Sequence, residues 1–164
     1  MKRLPFLSLL FCLFLIVSQT ACKEDEIPDI PIEESDDYLI FGTIYGECIG
    51  EECVTLYKIQ NSQIFEDNTE FVALGEIPFS ETPLPQSKFN IAQELLVVFP
   101  SKLLTSEERT YGCPDCHDQG TVYIELEEED IKTIWRIDTD DIDGSPAVTE
   151  FKNKVLEIIE ELQD

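Results

Sequence analysis

Beyond residue 38 the chain is patterned first with a period of two, then with a helical period, and the sequence of patterns then repeats. YLIFGTIYGEC, Tyr38 to Cys48, is rich in aromatic and β-branched residues and interrupted by glycine. In CVTLYKIQ, Cys53 to Gln60, Val54, Leu56 and Lys58 alternate with Thr55, Tyr57 and Ile59, the signature of a strand with two different faces. Asn61-Ser62 then turns the chain into QIFED, a short third strand. The clearest hairpin is TVYIELEEEDIKTIWRID, Thr121 to Asp138. Val122, Ile124 and Leu126 share one face of its first strand, and Ile131, Thr133, Trp135 and Ile137 one face of its second. The acidic run Glu127 to Asp130 is expected to form the turn.

Helical spacing separates and closes these strand pairs. EIPFSETPLPQS holds Pro78, Pro83 and Pro85 and reads as an irregular connection. In KFNIAQELLVVFPSKLL the apolar positions Phe89, Ala92, Leu95, Leu96 and Phe99 fall on one helical face, with Ser87 or Asn90 as a cap. Pro100 ends or bends that helix, and SKLL supplies one further turn. At the C-terminus Ser145 is an N-cap candidate and Pro146 suits the first helical position. Val148, Phe151, Val155, Ile158 and Leu162 form an apolar stripe behind them. An antiparallel sheet with one apolar face needs such a helix as cover. The expected architecture is α+β, in the order β-β-(β)-α-β-β-α, an antiparallel sheet with two helices packed on one face. It forms a single domain over residues 38–164.

The N-terminal pattern is of another kind. Lys2 and Arg3 precede LPFLSLLFCLFLIV, a 14-residue apolar run from Leu4 to Val17. A membrane-spanning helix needs about 20 such residues, whereas a signal-peptide core is this short. SQTAC follows, and Thr20-Ala21-Cys22 resembles the lipobox of bacterial lipoproteins, with Gln19 where an aliphatic residue is usual. Residues 1–21 are therefore read as a lipoprotein signal peptide, and Cys22 as the lipidated (palmitate-bearing) N-terminus. Residues 22–37 are acidic, carry Pro28 and Pro31 and lack aromatics before Tyr38, which marks a flexible tether. The opening CKEDE resembles the acidic signal that sends lipoproteins to the outer face of the outer membrane. The expected location is thus the bacterial outer membrane, surface-exposed, with the lipid bilayer as a partner through Cys22.

Charge narrows the remaining partners. The chain has 11 basic and 35 acidic residues, and Lys2 and Arg3 leave with the signal peptide. Nucleic acid and anionic headgroups are bound by clusters of Lys and Arg, and this chain has none, so no nucleic-acid partner is expected.

Four cysteines remain beyond Cys22: Cys48, Cys53, Cys113 and Cys116. An even number in an exported chain favours disulfides, and three pairings are open, local pairing leading. YGCPDCHDQG also contains Cys-x-x-Cys-His, the spacing that attaches a c-type haem through Cys113 and Cys116 with His117 as axial ligand. His117 is the single histidine and Met1 the single methionine, so the usual second ligand is missing. A thioredoxin-like dithiol needs a helix after the second cysteine, and TVYIEL is a strand. Zinc held by the four cysteines, or by three with His117, is a further alternative. Calcium is another: in IDTDDIDGSPAVTE, Thr139, Asp141, Asp143 and Glu150 take the first, third, fifth and twelfth positions of an EF-hand-like loop. Thr139 in place of the first carboxylate and Pro146 at the eighth position depart from that pattern. The reading preferred on these residues has no cofactor and no catalytic residue, with haem c, zinc and calcium as alternatives, and leans away from an enzyme.

FGTIYGECIGEECVTLYKI, GCPDCHDQGTVYIEL, WRIDTD and the terminal amphipathic helix together resemble uncharacterised lipoproteins of Bacteroidota, of the Flavobacteria and Cytophaga type. The resemblance spans nearly the whole mature chain. It implies a domain of unknown function, read here as a binding or interaction module, and brings no active site with it. A periplasmic or surface carrier of electrons or haem is the alternative.

Overall fold

A strand of seven residues, β1 (Tyr38–Ile44), lies inside the sheet because apolar side chains occupy both of its faces. It pairs antiparallel with β2 (Val54–Gln60) on one side and with β5 (Thr121–Glu128) on the other. β2 continues through Asn61-Ser62 into β3 (Gln63–Glu66), and β5 through Glu129-Asp130 into β6 (Ile131–Asp138). All four turn residues have positive φ, between 51° and 64°. Two residues of that conformation match the right-handed twist of the flanking strands. The second turn is therefore tighter than expected, with Glu127 and Glu128 inside the strand. The computed structural model describes residues 35–46, 48, 53–68, 77–140, 142 and 145–164. They belong to the compact unit Glu34–Asp164. The expected signal peptide, Cys22 and the tether up to residue 34 lie outside the described residues.

Helices follow where the spacing placed them, with one change of phase. α1 (Gln86–Ala92) and α2 (Glu94–Val98) are separated at Gln93, and α3 (Ser101–Thr105) follows Pro100. Pro85 precedes the first turn, so Ser87 and Asn90 lie within α1 rather than capping it. The interruption at Gln93 rotates what comes after: Leu95 is fully buried, but Leu96 is 50% exposed instead of joining the core. Phe99 stays partly buried, edge-on to Trp135 at 5.8 Å and to Phe151 at 5.1 Å. Such aromatic contacts add about 0.5–1.5 kcal/mol beyond area burial. Between α3 and β5 lies a two-residue strand, β4 (Thr110–Tyr111), too short to show a period in the sequence. It runs parallel to β6, making the sheet mixed although mostly antiparallel, in the order β3-β2-β1-β5-β6-β4.

The last helix, α4 (Pro146–Gln163), buries Val148, Phe151, Val155, Ile158 and Leu162 together with Lys152 and Ile159. Ser145 stands at its N-cap position and contributes its carbonyl to the first turn, without a side-chain cap bond. The apolar stripe of α4 packs with α1–α3 onto the face of the sheet formed by Leu39, Phe41, Tyr57, Ile59, Val122, Ile124, Trp135 and Ile137. Each buried side chain of this kind contributes about 1.5–3 kcal/mol by transfer from water. The opposite face has a smaller cluster of Ile40, Val54, Leu56 and Tyr123, partly covered by Ile77 and Phe79. The proline-rich connection thus folds back across it, with Phe79 bridged to Asp67 beside β3. Gly42 fits this packed centre because a Cβ there would overlap the Thr55 carbonyl of β2.

Candidate functional site

At the Ile44 end of the sheet, the β1–β2 connection and the loop entering β5 meet. Cys48 is bonded to Cys53 and Cys113 to Cys116, with Cα atoms 5.4 and 5.5 Å apart. Both spacings are ordinary for disulfides, and of the three possible pairings this is the local one. Asp115 joins the two loops: its Oδ2 accepts the Gly46 N–H at 3.0 Å, while its Oδ1 is buried without a partner among the described residues. Gly120, at φ +87°, lies so close to Tyr45 that a Cβ would run into the ring.

Asp138, at the end of β6, holds the cysteine loop from below. Its carboxylate accepts the N–H of Cys113 at 2.8 Å and of Asp140 at 2.9 Å, and the Gln119 amide at 3.1 Å. Burial pushes its pKa up, but these bonds and the charge of Lys152 together hold it below the ordinary aspartate value. His117 is exposed on the turn, where its backbone N–H donates to Gln119 Oε1 at 2.7 Å. Thioether attachment of haem needs both thiols free, and here Cys113 and Cys116 are bonded to each other. The same sulfurs are the ones zinc would use, so either group would need these bonds reduced first. Strand β5, not a helix, follows the motif, so no helix dipole acts on these sulfurs.

The calcium candidates divide. Asp141 and Asp143 lie outside the described residues. Thr139 gives its hydroxyl to the Gln119 carbonyl at 2.7 Å, and Glu150 is exposed on α4. The carbonyls of Thr139 and Asp140 both accept hydrogen bonds from the Lys152 ammonium, at 2.7 and 2.8 Å. Lys152 is 3% exposed. It therefore serves this acidic loop as a tethered internal cation, a role that helical spacing alone did not reveal. Among the described residues, no three His, Cys, Asp or Glu side chains are grouped to hold a metal.

A second ionic cluster lies on the face of the sheet away from the helices. Glu125 is 4% exposed, and its carboxylate accepts the Tyr38 hydroxyl at 2.7 Å, the Tyr123 hydroxyl at 2.5 Å and the Lys132 ammonium at 2.8 Å. Burial raises the pKa of Glu125, but the three donors outweigh it and hold the carboxyl below its usual range. Burial, reinforced by the same carboxylate, pushes the Tyr123 hydroxyl up, and burial does the same to Tyr38. Each donor is matched to the one acceptor, so the cluster is internally satisfied. Its members are diagonal neighbours in register, Tyr38 opposite Glu127 and Lys132 opposite Glu127. Only the pairing of strands brings them together.

At the other end of the sheet, where β1 begins and β2 and β5 end, a cleft of about 220 Å³ opens. Leu39, Ile59, Phe89 and Leu126 line it from the strands and α1, and the half-exposed Leu96 forms a wall. Asp37, Glu127, Glu128 and the polar β2–β3 turn also line it, and none of the described lining residues is a lysine or arginine. Glu127 lies 4.0 Å from Lys132; Glu128 is exposed. Asp37 accepts the Glu129 N–H at 3.0 Å, and hydrogen bonds with Ser35 and Glu129 hold its carboxyl below the ordinary value. Ser35 in turn donates its N–H to Asn61, so the last residues of the expected tether are fixed against the mouth of the cleft. Val97, 84% exposed, and Val98 continue the apolar surface along α2. The sequence hinted at this cleft only through Leu96, whose helical phase pointed into the core.

No family model, no curated protein and no solved structure matches the chain. Among the described residues, no helix is long and apolar enough to cross a membrane.

Proposed function

We propose that the chain is an exported lipoprotein of the bacterial envelope, anchored through Cys22 to the outer membrane and exposed at the surface, where its α+β domain binds a partner. The observation that carries the binding reading is the cleft. Leu39, Ile59, Phe89, Leu96 and Leu126 line an opening that solvent reaches. Concave, mostly apolar openings with a few polar groups at the mouth are where proteins take ligands. The two closed disulfides support the export reading, since such bonds persist outside the cytoplasm. The resemblance to lipoproteins of Bacteroidota points the same way.

Metabolic labelling with palmitate tests the anchor. Label is expected on the wild-type chain and absent from Cys22→Ser; label retained by Cys22→Ser contradicts the assignment. Replacing Lys23 to Glu26 by neutral residues is expected to abolish surface labelling of intact cells, and unchanged labelling refutes the sorting signal. Intact mass of the mature chain completes the test: two disulfides and a lipid are expected, and an added haem overturns the reading.

A further inference from the structure

We infer that the cleft at the Tyr38 end of the sheet docks a cationic, amphipathic peptide segment of a partner protein, an apolar side chain entering between Leu96 and Phe89 and lysine or arginine facing the acidic rim. The inference rests on the binding-module reading and deepens it by naming the partner's chemistry. Its geometry has two parts. The floor is contributed by Leu39, Ile59 and Phe89, each less than 10% exposed and fixed by the core, so it is formed before any partner arrives. A cavity of about 220 Å³ is below the usual range of roughly 300–1,000 Å³ for a whole small-molecule ligand. It suits an anchoring side chain of a larger partner, and the exposed Leu96, Val97 and Val98 extend the apolar surface beyond the cleft itself.

Charge selects the partner. Asp37 and the exposed Glu128 are among the lining residues, Glu127 being turned toward Lys132, and no cation is among the described lining residues. The mature chain carries nine basic side chains against 35 acidic ones. An acidic segment would meet repulsion at the rim and from the whole molecule, whereas a basic one is steered toward it. Burial of the apolar anchor then supplies the hold, since rim charges are solvated and screened.

The test uses the mature chain with Cys22→Ser, so that no lipid is present, and fluorescence anisotropy of short labelled peptides. One peptide is built of leucine and lysine, a second of leucine and glutamate. The leucine–lysine peptide is expected to bind, with affinity falling as salt rises, and the leucine–glutamate peptide is not. Leu96→Asp should weaken binding at least about tenfold, as loss of a central anchor does. Asp37→Asn with Glu128→Gln should weaken it by about threefold per charge at low salt. Asp118→Asn with Glu150→Gln, an equal charge change at the far end, should leave it nearly unchanged. Equal weakening by the two charge pairs overturns the inference, because attraction is then general to an acidic protein. If both peptides bind equally and Leu96→Asp abolishes both, the cleft docks a partner but not a cationic one; the inference falls and the module reading stands. If the mature chain self-associates and Leu96→Asp disperses it, the occupant is a second copy, and the inference falls. If neither peptide responds to Leu96→Asp, both readings fall.

Discussion

The two ends of the sheet solve opposite problems. At the Ile44 end, two disulfides, the Asp138 carboxylate, the Asp115–Gly46 bond and the buried Lys152 ammonium tie the loops to one another. At the Tyr38 end, short turns and hydrogen bonds such as Asp37–Glu129 and Ser35–Asn61 restrain the chain without a disulfide, and apolar side chains meet solvent. The difference teaches how a domain of this size divides its work. Covalent and ionic bonds fix the loops that an acidic sequence would otherwise push apart, and the other end keeps a preformed apolar opening. The Cys-x-x-Cys-His stretch belongs to the end closed by disulfides, while the apolar opening lies at the other end.

Substitutions should separate the ends by their cost. The largest effect is expected from Lys152→Ala, which removes the charged donor to the carbonyls of Thr139 and Asp140 and the buried side chain that carries it. Loss of about 3 kcal/mol in denaturant unfolding is expected; a loss below about 1 kcal/mol would show that the loop does not depend on the ammonium. Next, Cys113→Ser with Cys116→Ser should cost about 2 kcal/mol or less, because the loop closed is short. In partial reduction by a dithiol followed by alkylation, the exposed Cys113–Cys116 bond should open before Cys48–Cys53, since Cys53 is 3% exposed. The reverse order would place the weaker tie at the hairpin.

Asp138→Asn should cost about 1 kcal/mol at neutral pH, as hydrogen bonds to a charged acceptor weaken. The pH dependence has a definite sign. The folded carboxyl is held below 3.8, so its contribution is complete above that value and is lost as pH falls through the lower folded one. The gap between wild type and Asp138→Asn should therefore close in acid, and a gap that widens there contradicts the assignment. Leu96→Asp, at the open end, should change stability by no more than about 0.5 kcal/mol while it removes binding. A large loss of stability would make Leu96 part of the core after all.

Much of the fold was legible because period-two strands and the α4 stripe are local signals. Val122, Ile124, Trp135 and Ile137 lie on the expected face, and all five expected α4 residues are buried. β4 was not legible, since two residues carry no period. Leu96 was misplaced because the helix is interrupted at Gln93, which the spacing does not show. The site was less legible than the fold for a physical reason. Leu39, Ile59, Phe89 and Leu126 come from three strands and a helix, and Glu125 finds Tyr38 and Lys132 only through register. In a chain with 35 acids, no local pattern singles out the one that is buried. The disulfide choice sits between these cases: three pairings were open, and the register Ile44 opposite Val54 brings Cys48 and Cys53 together.

The division of labour between the two ends is tested most directly by mapping backbone amide shifts by NMR while the leucine–lysine peptide is added to the mature chain. Shifts confined to the surroundings of Leu39, Ile59, Phe89, Leu96 and Leu126, with Cys113 to Gly120 undisturbed, are the expected result. Shifts centred on Cys113 to Gly120, with the cleft unaffected, would contradict it.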